Sequence, residues 1–140
     1  MNGEIFIDTN ILVYAHDRDA GKRHERAKQL VTDLWRQEQW PSVSVQVLQE
    51  LYVNLYRKGI SIPEARTTVQ DYAAWNVVEN RFSLLEEGID EMERWQLSFW
   101  DSLILAAARR AGASVIYSED FSSQQDYGGI RVQNPIISED

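Results

Sequence analysis

Short apolar runs and longer amphipathic stretches alternate along this chain from end to end. That alternation limits the fold to strands joined through helices. Glu4 to Ile7 is a β-branched and aromatic run with the character of a strand, and Asp8-Thr9-Asn10 ends it. Residues 24–37 carry apolar side chains at helical spacing: Ala27, Leu30, Val31 and Leu34. Trp40-Pro41-Ser42-Val43 reads as a short extended piece. Ser44 is placed to cap a helix running to about Lys58, with Gly59 closing it and Leu48, Leu51, Tyr52 and Leu55 as its apolar stripe. Ser61, with Pro63 in the first turn, opens a helix to about Ala74, and Asn76 to Glu79 is a further strand. A helix from Ser83 to about Gln96 is expected to break or bend near Gly88. Ser98 opens the strongly helical FWDSLILAAARRAG, ended by Gly112. Ser114 to Tyr117 is a buried-type strand, and Ile130 to Val132 a last short one. Strands separated by helices pair in parallel through right-handed crossovers, and such α/β sheets place their sites beyond the carboxyl ends of the strands.

A length of 140 residues suits one compact domain, 1–140, and an apolar share of 44% argues against disorder. Cysteine is absent, which excludes disulfides, thiolate metal sites and cysteine nucleophiles, and fits a reducing cytoplasm. The start, MNGEIFIDTN, lacks the charged and apolar regions of a signal peptide. No stretch approaches a membrane span, so a soluble protein with no membrane association is expected. The net charge of −8 argues against broad electrostatic binding to nucleic acid. It does not exclude a nuclease, because bound divalent cations reverse the local field around a carboxylate cluster.

Four acids stand out. Asp8 ends an apolar strand, where a doubly wound sheet places its site; a helix N-cap or turn is the competing explanation. Asp120, in Ser118-Glu119-Asp120, repeats that geometry after Val115-Ile116-Tyr117. Glu119 competes for the same role, and an extended backbone turns neighbours to opposite sides, so only one of the two faces a cleft. Asp101 follows Ser98 at capping-box spacing, which is a structural explanation. It also shares a helical face with the apolar Ile104, Leu105 and Ala108. Burial there has to be offset by a metal ion or a hydrogen-bond network. Glu50 projects away from the stripe of its helix and, from the residues alone, reads as a solvated glutamate. Hydrolysis of a phosphodiester needs an activated water and neutralised charge, and hard cations held by carboxylate oxygens supply both.

FIDTNILVYA (6–15), SVQVLQELY (44–52), SFWDSLILAAARRAG (98–112) and VIYSEDF (115–121), in this order and spacing, resemble the PIN-domain family, and in particular its VapC toxin type. The resemblance implies an α/β fold, a three-layer α/β/α sandwich around a central, mainly parallel sheet. It implies a ribonuclease dependent on Mg²⁺ or Mn²⁺, with Asp8, Glu50, Asp101 and Asp120 ringing the metal site. It matches Thr9 to a hydroxyl that orients the metal or its water, Asn10 to a brace for the turn, and Ser118 to the start of a Ser/Thr-x-Asp turn. It also implies a homodimer, an RNA substrate cut at few places and, for the toxin branch, an antitoxin protein that blocks the cleft.

Three other readings compete. A receiver-like phosphoacceptor domain needs a lysine near a late strand, and Lys22, Lys28 and Lys58 all lie early. An Asp-nucleophile phosphatase generally needs a second Asp where Asn10 stands. A catalytically silent PIN-like RNA-binding or scaffold protein would be expected to have lost acids, and all four are present. His16 and His24 are expected on the surface. Most of the five tryptophans are expected in the core or a dimer interface, with Trp40 the candidate for exposure.

Overall fold

The computed structural model describes residues 4–121 and 125–137. Its elements in chain order are β1 (Ile5–Ile7), α1 (Thr9–His16), a 3₁₀ turn (Arg18–Ala20), α2 (Lys22–Trp35), β2 (Ser42–Ser44), α3 (Val45–Arg57), α4 (Ile62–Tyr72), β3 (Asn76–Val78), α5 (Phe82–Trp95), α6 (Phe99–Arg110), β4 (Val115–Tyr117) and β5 (Arg131–Gln133). The sheet order is β3-β2-β1-β4-β5, and all four strand pairs are parallel. From β1 the chain steps outward through β2 to β3, then crosses back to lay β4 on the other side of β1. Right-handed crossovers running in opposite directions put their helices on opposite faces. The contacts follow that division: α1 packs on α2 and α3, and α3 on α4, while α5 packs on α6. The expected α/β sandwich with a central parallel sheet is what forms.

Local chemistry explains most element ends. The hydroxyls of Ser44, Ser61 and Ser98 accept from the backbone N–H of Val47 (3.3 Å), Glu64 (3.2 Å) and Asp101 (3.2 Å), capping α3, α4 and α6 as their sequence positions predict. Gly112 closes α6 at φ 78°, a backbone conformation that costs glycine least. Phe6, Ile7, Val43, Ile116 and Val132 from the sheet join Ile11, Leu12, Leu51, Leu55, Ile104 and Leu105 from the helices in one buried core.

Two expectations fail locally. No helix is predicted between Asp8 and His24, yet α1 fills residues Thr9–His16. Its buried residues, Thr9, Ile11, Leu12 and Ala15, share one helical side, and Asp8 caps it. The expected break at Gly88 does not occur either, because α5 runs unbroken through it. Gly88 serves close helix packing instead. A Cβ there would sit 2.6 Å from Leu103 Cδ2, 3.2 Å from its Cγ and 3.5 Å from its Cα. Gly88→Val is therefore expected to destabilise the protein by about 2 kcal/mol through overpacking, read as a lower urea midpoint. An unchanged midpoint would mean that α5 and α6 do not approach this closely.

The tryptophans sort largely as expected, with Trp100 the exception. Trp75 is buried, and Trp35 packs against it and against Trp40, both at 5.0 Å between ring centroids. Trp40 is 39% exposed, but Trp100 is far more so at 62%. The histidines lie at the surface as expected, His16 exposed and His24 partly so, and each is hydrogen-bonded to the helical scaffold. His16 Nε2 lies 2.7 Å from the Tyr72 hydroxyl, and His24 Nδ1 lies 2.8 Å from the Tyr14 carbonyl. Among the described residues no helix is long and apolar enough to cross a membrane.

Candidate active site

The strand order reverses between β1 and β4, and the crevice beyond their carboxyl ends is where such sheets bind ligands. Asp8 leaves β1 into that crevice and Ser118 leaves β4 beside it, held by the Asp8 N–H to Tyr117 carbonyl bond of 3.0 Å. Asp8 caps α1, as one of its two competing explanations has it, and is also a buried acid at the strand end where the other places a site. Oδ1 accepts from the Thr9 N–H at 2.7 Å, capping α1. Oδ2 accepts from the Ser118 hydroxyl at 2.7 Å.

Asp8 is only 4% exposed. Burial pushes its carboxyl up to about 7, against the lowering effect of the Ser118 and Thr9 bonds, and the charges of Asp120 and Glu50 push the same way as burial. An ionised carboxylate at this position thus lacks a counter-charge. Among the described residues none of Asp8, Glu50, Asp101 and Asp120 has a Lys, Arg or His in salt-bridge contact.

Ser118 is the hub of the turn. Besides donating to Asp8, its Oγ accepts from the Asp120 N–H at 3.0 Å and from Asn10 Nδ2 at 3.3 Å. Asn10 Nδ2 also donates to Asp120 Oδ2 at 3.0 Å, and its Oδ1 accepts from the Glu119 N–H at 3.3 Å. Asn10 thereby braces the turn and fixes Asp120. The Glu119 carboxylate is taken up by the Tyr14 hydroxyl at 2.8 Å, so of the two neighbours it is Asp120 whose charge bears on Asp8 and Asp101.

Glu50 is not the free surface glutamate that its helix projection predicts. The Thr9 hydroxyl donates to its Oε1 at 2.6 Å. The reason is tertiary: α1 packs on α3 and brings Thr9 against Glu50. Gln46, one turn earlier and buried, donates from Nε2 to Glu50 Oε2 at 3.4 Å and to the Trp100 carbonyl at 3.3 Å. Sequence reasoning missed Gln46. The available signal was the polar row Gln46, Glu50, Asn54 at i, i+4 spacing.

Asp101 stands in the first turn of α6, half-buried. Burial raises its carboxyl above the usual range, against the Ser98 bond, and Asp120 and Glu50 raise it further. Among the described residues it shares no hydrogen bond with the other three acids, and it feels the charges of Asp120 and Glu50. Six of the seven expected residues, Asp8, Thr9, Asn10, Glu50, Ser118 and Asp120, meet through hydrogen bonds around α1, with Asp101 at the edge. Among the described residues the acids do not close into a ready-made coordination shell. Like charges without a cation between them stay apart.

The chemistry of the donors fits a hard divalent cation. All are oxygens, all are anionic when ionised, and two of the carboxyls are driven toward their neutral forms by burial.

A family model described as PIN domain matches residues 5–127. Ribonuclease VapC24 of Mycobacterium tuberculosis is 29% identical over 147 aligned positions, covering 95% of this chain and 97% of that protein. Among solved structures, M. tuberculosis VapC20, described as a sarcin-ricin loop cleaving toxin, superposes with a TM-score of 0.67 at 22% identity, over 84% of this chain and 91% of that one. A toxin-antitoxin complex from Klebsiella pneumoniae gives a TM-score of 0.67 at 20% identity, over 94% and 97%. VapBC2 from Rickettsia felis, bound to a promoter DNA fragment, gives 0.58 at 16%, over 92% and 96%. At these identities the structures speak for the fold.

Proposed function

The chain belongs to the PIN-domain family, and from that premise we propose that it is an Mg²⁺- or Mn²⁺-dependent endoribonuclease of the VapC toxin type, the whole chain acting as one PIN domain. The observation that carries this reading is Asp8. A carboxyl buried at the sheet's switch point, held near pH 7 with no counter-charge, and sharing its field with two further acids is a costly arrangement for a purely structural residue.

In this reading Asp8, Asp101 and Asp120 are the metal ligands, and Glu50 completes the set or positions the attacking water. The cation, when bound, neutralises phosphate charge and makes the water nucleophilic. The chain's own residues do the rest. Ser118 and the Thr9 N–H lock both Asp8 oxygens in orientation, Asn10 holds Asp120, and the Thr9 hydroxyl fixes Glu50. Such outer contacts prevent the acids from turning to solvent and preorganise them for charge that develops on the phosphate. Asp101 gains from the partial positive charge at the α6 amino end.

The proposed partners are an RNA substrate, a second copy of the chain and a cognate antitoxin protein. Apolar residues left exposed on α3 and α4 (Val53, Tyr56, Ile62) and on α5 (Phe82, Ile89, Met92) support protein partners. An RNA substrate makes the cytoplasm the working compartment.

The deciding experiment incubates the purified chain with total RNA and Mn²⁺, with and without EDTA. Discrete fragments are expected, lost on chelation. Mn²⁺ is also expected to raise the melting temperature, because only the folded state assembles the acids. Intact RNA and an unmoved melting temperature would reject the reading and favour a catalytically silent PIN domain.

A further inference from the structure

We propose that Trp100 is the surface on which an unpaired base of the RNA stacks beside the carboxylates, an inference that rests on the nuclease reading and adds the form of RNA it acts on. Trp100 is the most exposed of the five tryptophans at 62%. It precedes Asp101 directly in α6. The buried Gln46 amide links its backbone to the cluster, since one nitrogen donates both to the Trp100 carbonyl at 3.3 Å and to Glu50 Oε2 at 3.4 Å. Phe99 packs edge-on against the indole, with ring centroids 4.9 Å apart and an interplanar angle of 78°. The ring is therefore held in place while most of it faces solvent.

The surroundings offer a nucleobase both apolar and polar contacts. A cavity of about 110 Å³ opens beside the indole, lined by Leu84, Leu85 and Leu103 and by the amides and guanidinium of Gln49, Asn80 and Arg81. Amides of this kind hydrogen-bond base edges, and the exposed Arg81 can neutralise a phosphate.

Charge makes stacking necessary. At a net charge of −8, with four acids in the site, little affinity for RNA can come from a general electrostatic field. Stacking on an aromatic ring is largely independent of that field and strengthens binding by about tenfold or more per base. It requires a base free of its own stack, so the substrate segment is single-stranded, a loop or a bulge.

The test titrates the full chain, in EDTA so that nothing is cut, against a labelled single-stranded 12-nucleotide RNA of mixed sequence and against a duplex of equal length. Trp100→Ala is expected to weaken single-strand binding about tenfold. Trp100→Phe should restore most of it, and duplex binding should not move. Irradiation of the wild-type complex should leave a nucleotide adduct on the peptide carrying Trp100. Equal single-strand binding by Trp100→Ala would overturn the inference, as would an altered oligomeric state with RNA binding intact, which would make Trp100 a protein contact. In either case cleavage of total RNA by the wild type, measured separately, leaves the nuclease reading standing. A wild type that neither binds nor cleaves RNA overturns both.

Discussion

Asp8→Asn is expected to abolish RNA cleavage and, in the same protein, to raise the melting temperature of the metal-free form. Disturbing even the outer contacts of a metal site typically costs 10–100-fold in affinity or activity, so removing a ligand should cost more than about a hundredfold. The gain in stability follows from burial. The Asp8 carboxyl titrates near 3.8 when unfolded and about 7 when folded. Between those values the unfolded chain has released its proton while the folded chain still holds it. Stability of the wild type therefore falls as pH rises through this window and stays low above it. At about 1.4 kcal/mol per pKa unit, the ionised side chain costs the fold roughly 4 kcal/mol. The isosteric amide escapes that cost. In EDTA at about pH 8 the variant should melt roughly 10 °C above the wild type, and at about pH 4 the advantage should vanish. With Mn²⁺ the order should reverse, since only the wild type is stabilised by the ion. Scanning calorimetry at both pH values, beside the RNA assay, reads all of this. A variant that cuts RNA normally, or melts below the wild type at the higher pH, would show that Asp8 is not a buried, uncompensated ligand.

The second large effect lies away from the site. Glu91 is buried in α5, and Arg109 of α6 grips it through two bonds, Nε to Oε2 at 2.5 Å and Nη2 to Oε1 at 3.2 Å. Trp95 Nε1 adds a third donor to Oε1 at 2.9 Å. The same guanidinium reaches the carbonyls of Tyr127 (2.7 Å) and Gly128 (3.0 Å), tying the segment before β5 to the helix pair. Arg109→Met leaves the Glu91 charge buried and unpaired, which costs about 3–5 kcal/mol. Arg109 is itself about one-third exposed, so the lower end applies. The melting temperature should drop by roughly 10 °C. Adding Glu91→Gln removes the stranded charge, and the double variant should recover part of the loss. A double variant no more stable than Arg109→Met alone would place the cost elsewhere, in the lost carbonyl bonds.

Much of the architecture was legible because its causes are local. A serine before an apolar row caps a helix wherever the chain goes, and Ser44, Ser61 and Ser98 all do so. The apolar run Val115-Ile116-Tyr117, following a long helix, forms a parallel strand with Ile116 buried, as its composition predicts. Asp8, Asp101 and Asp120 stood out for the same reason, each being an acid at a strand end or continuing an apolar face. Helix α1 escaped notice because its apolar residues follow β1 almost without interruption. Over Ile5–Ala15 the strand and helix patterns merge, and only the cap at Asp8 separates them.

By itself the sequence determined the strand–helix alternation, the capped helix starts and which acids lie at element ends, since backbone preference and hydrophobic period act over a few residues. Only the tertiary structure decided what meets what. The Thr9–Glu50 bond spans 41 residues, and the Ser118–Asp8 and Asn10–Asp120 bonds span 110 each. Those meetings depend on β4 returning to lie beside β1 and on α1 packing over α3. The same packing turned Glu50 inward, kept Asp120 with the cluster while Tyr14 claimed Glu119, and made Gly88 a point of helix contact. A helix projection or a strand alternation describes one element in solvent, whereas the energy of a buried charge is set by whichever other element closes over it.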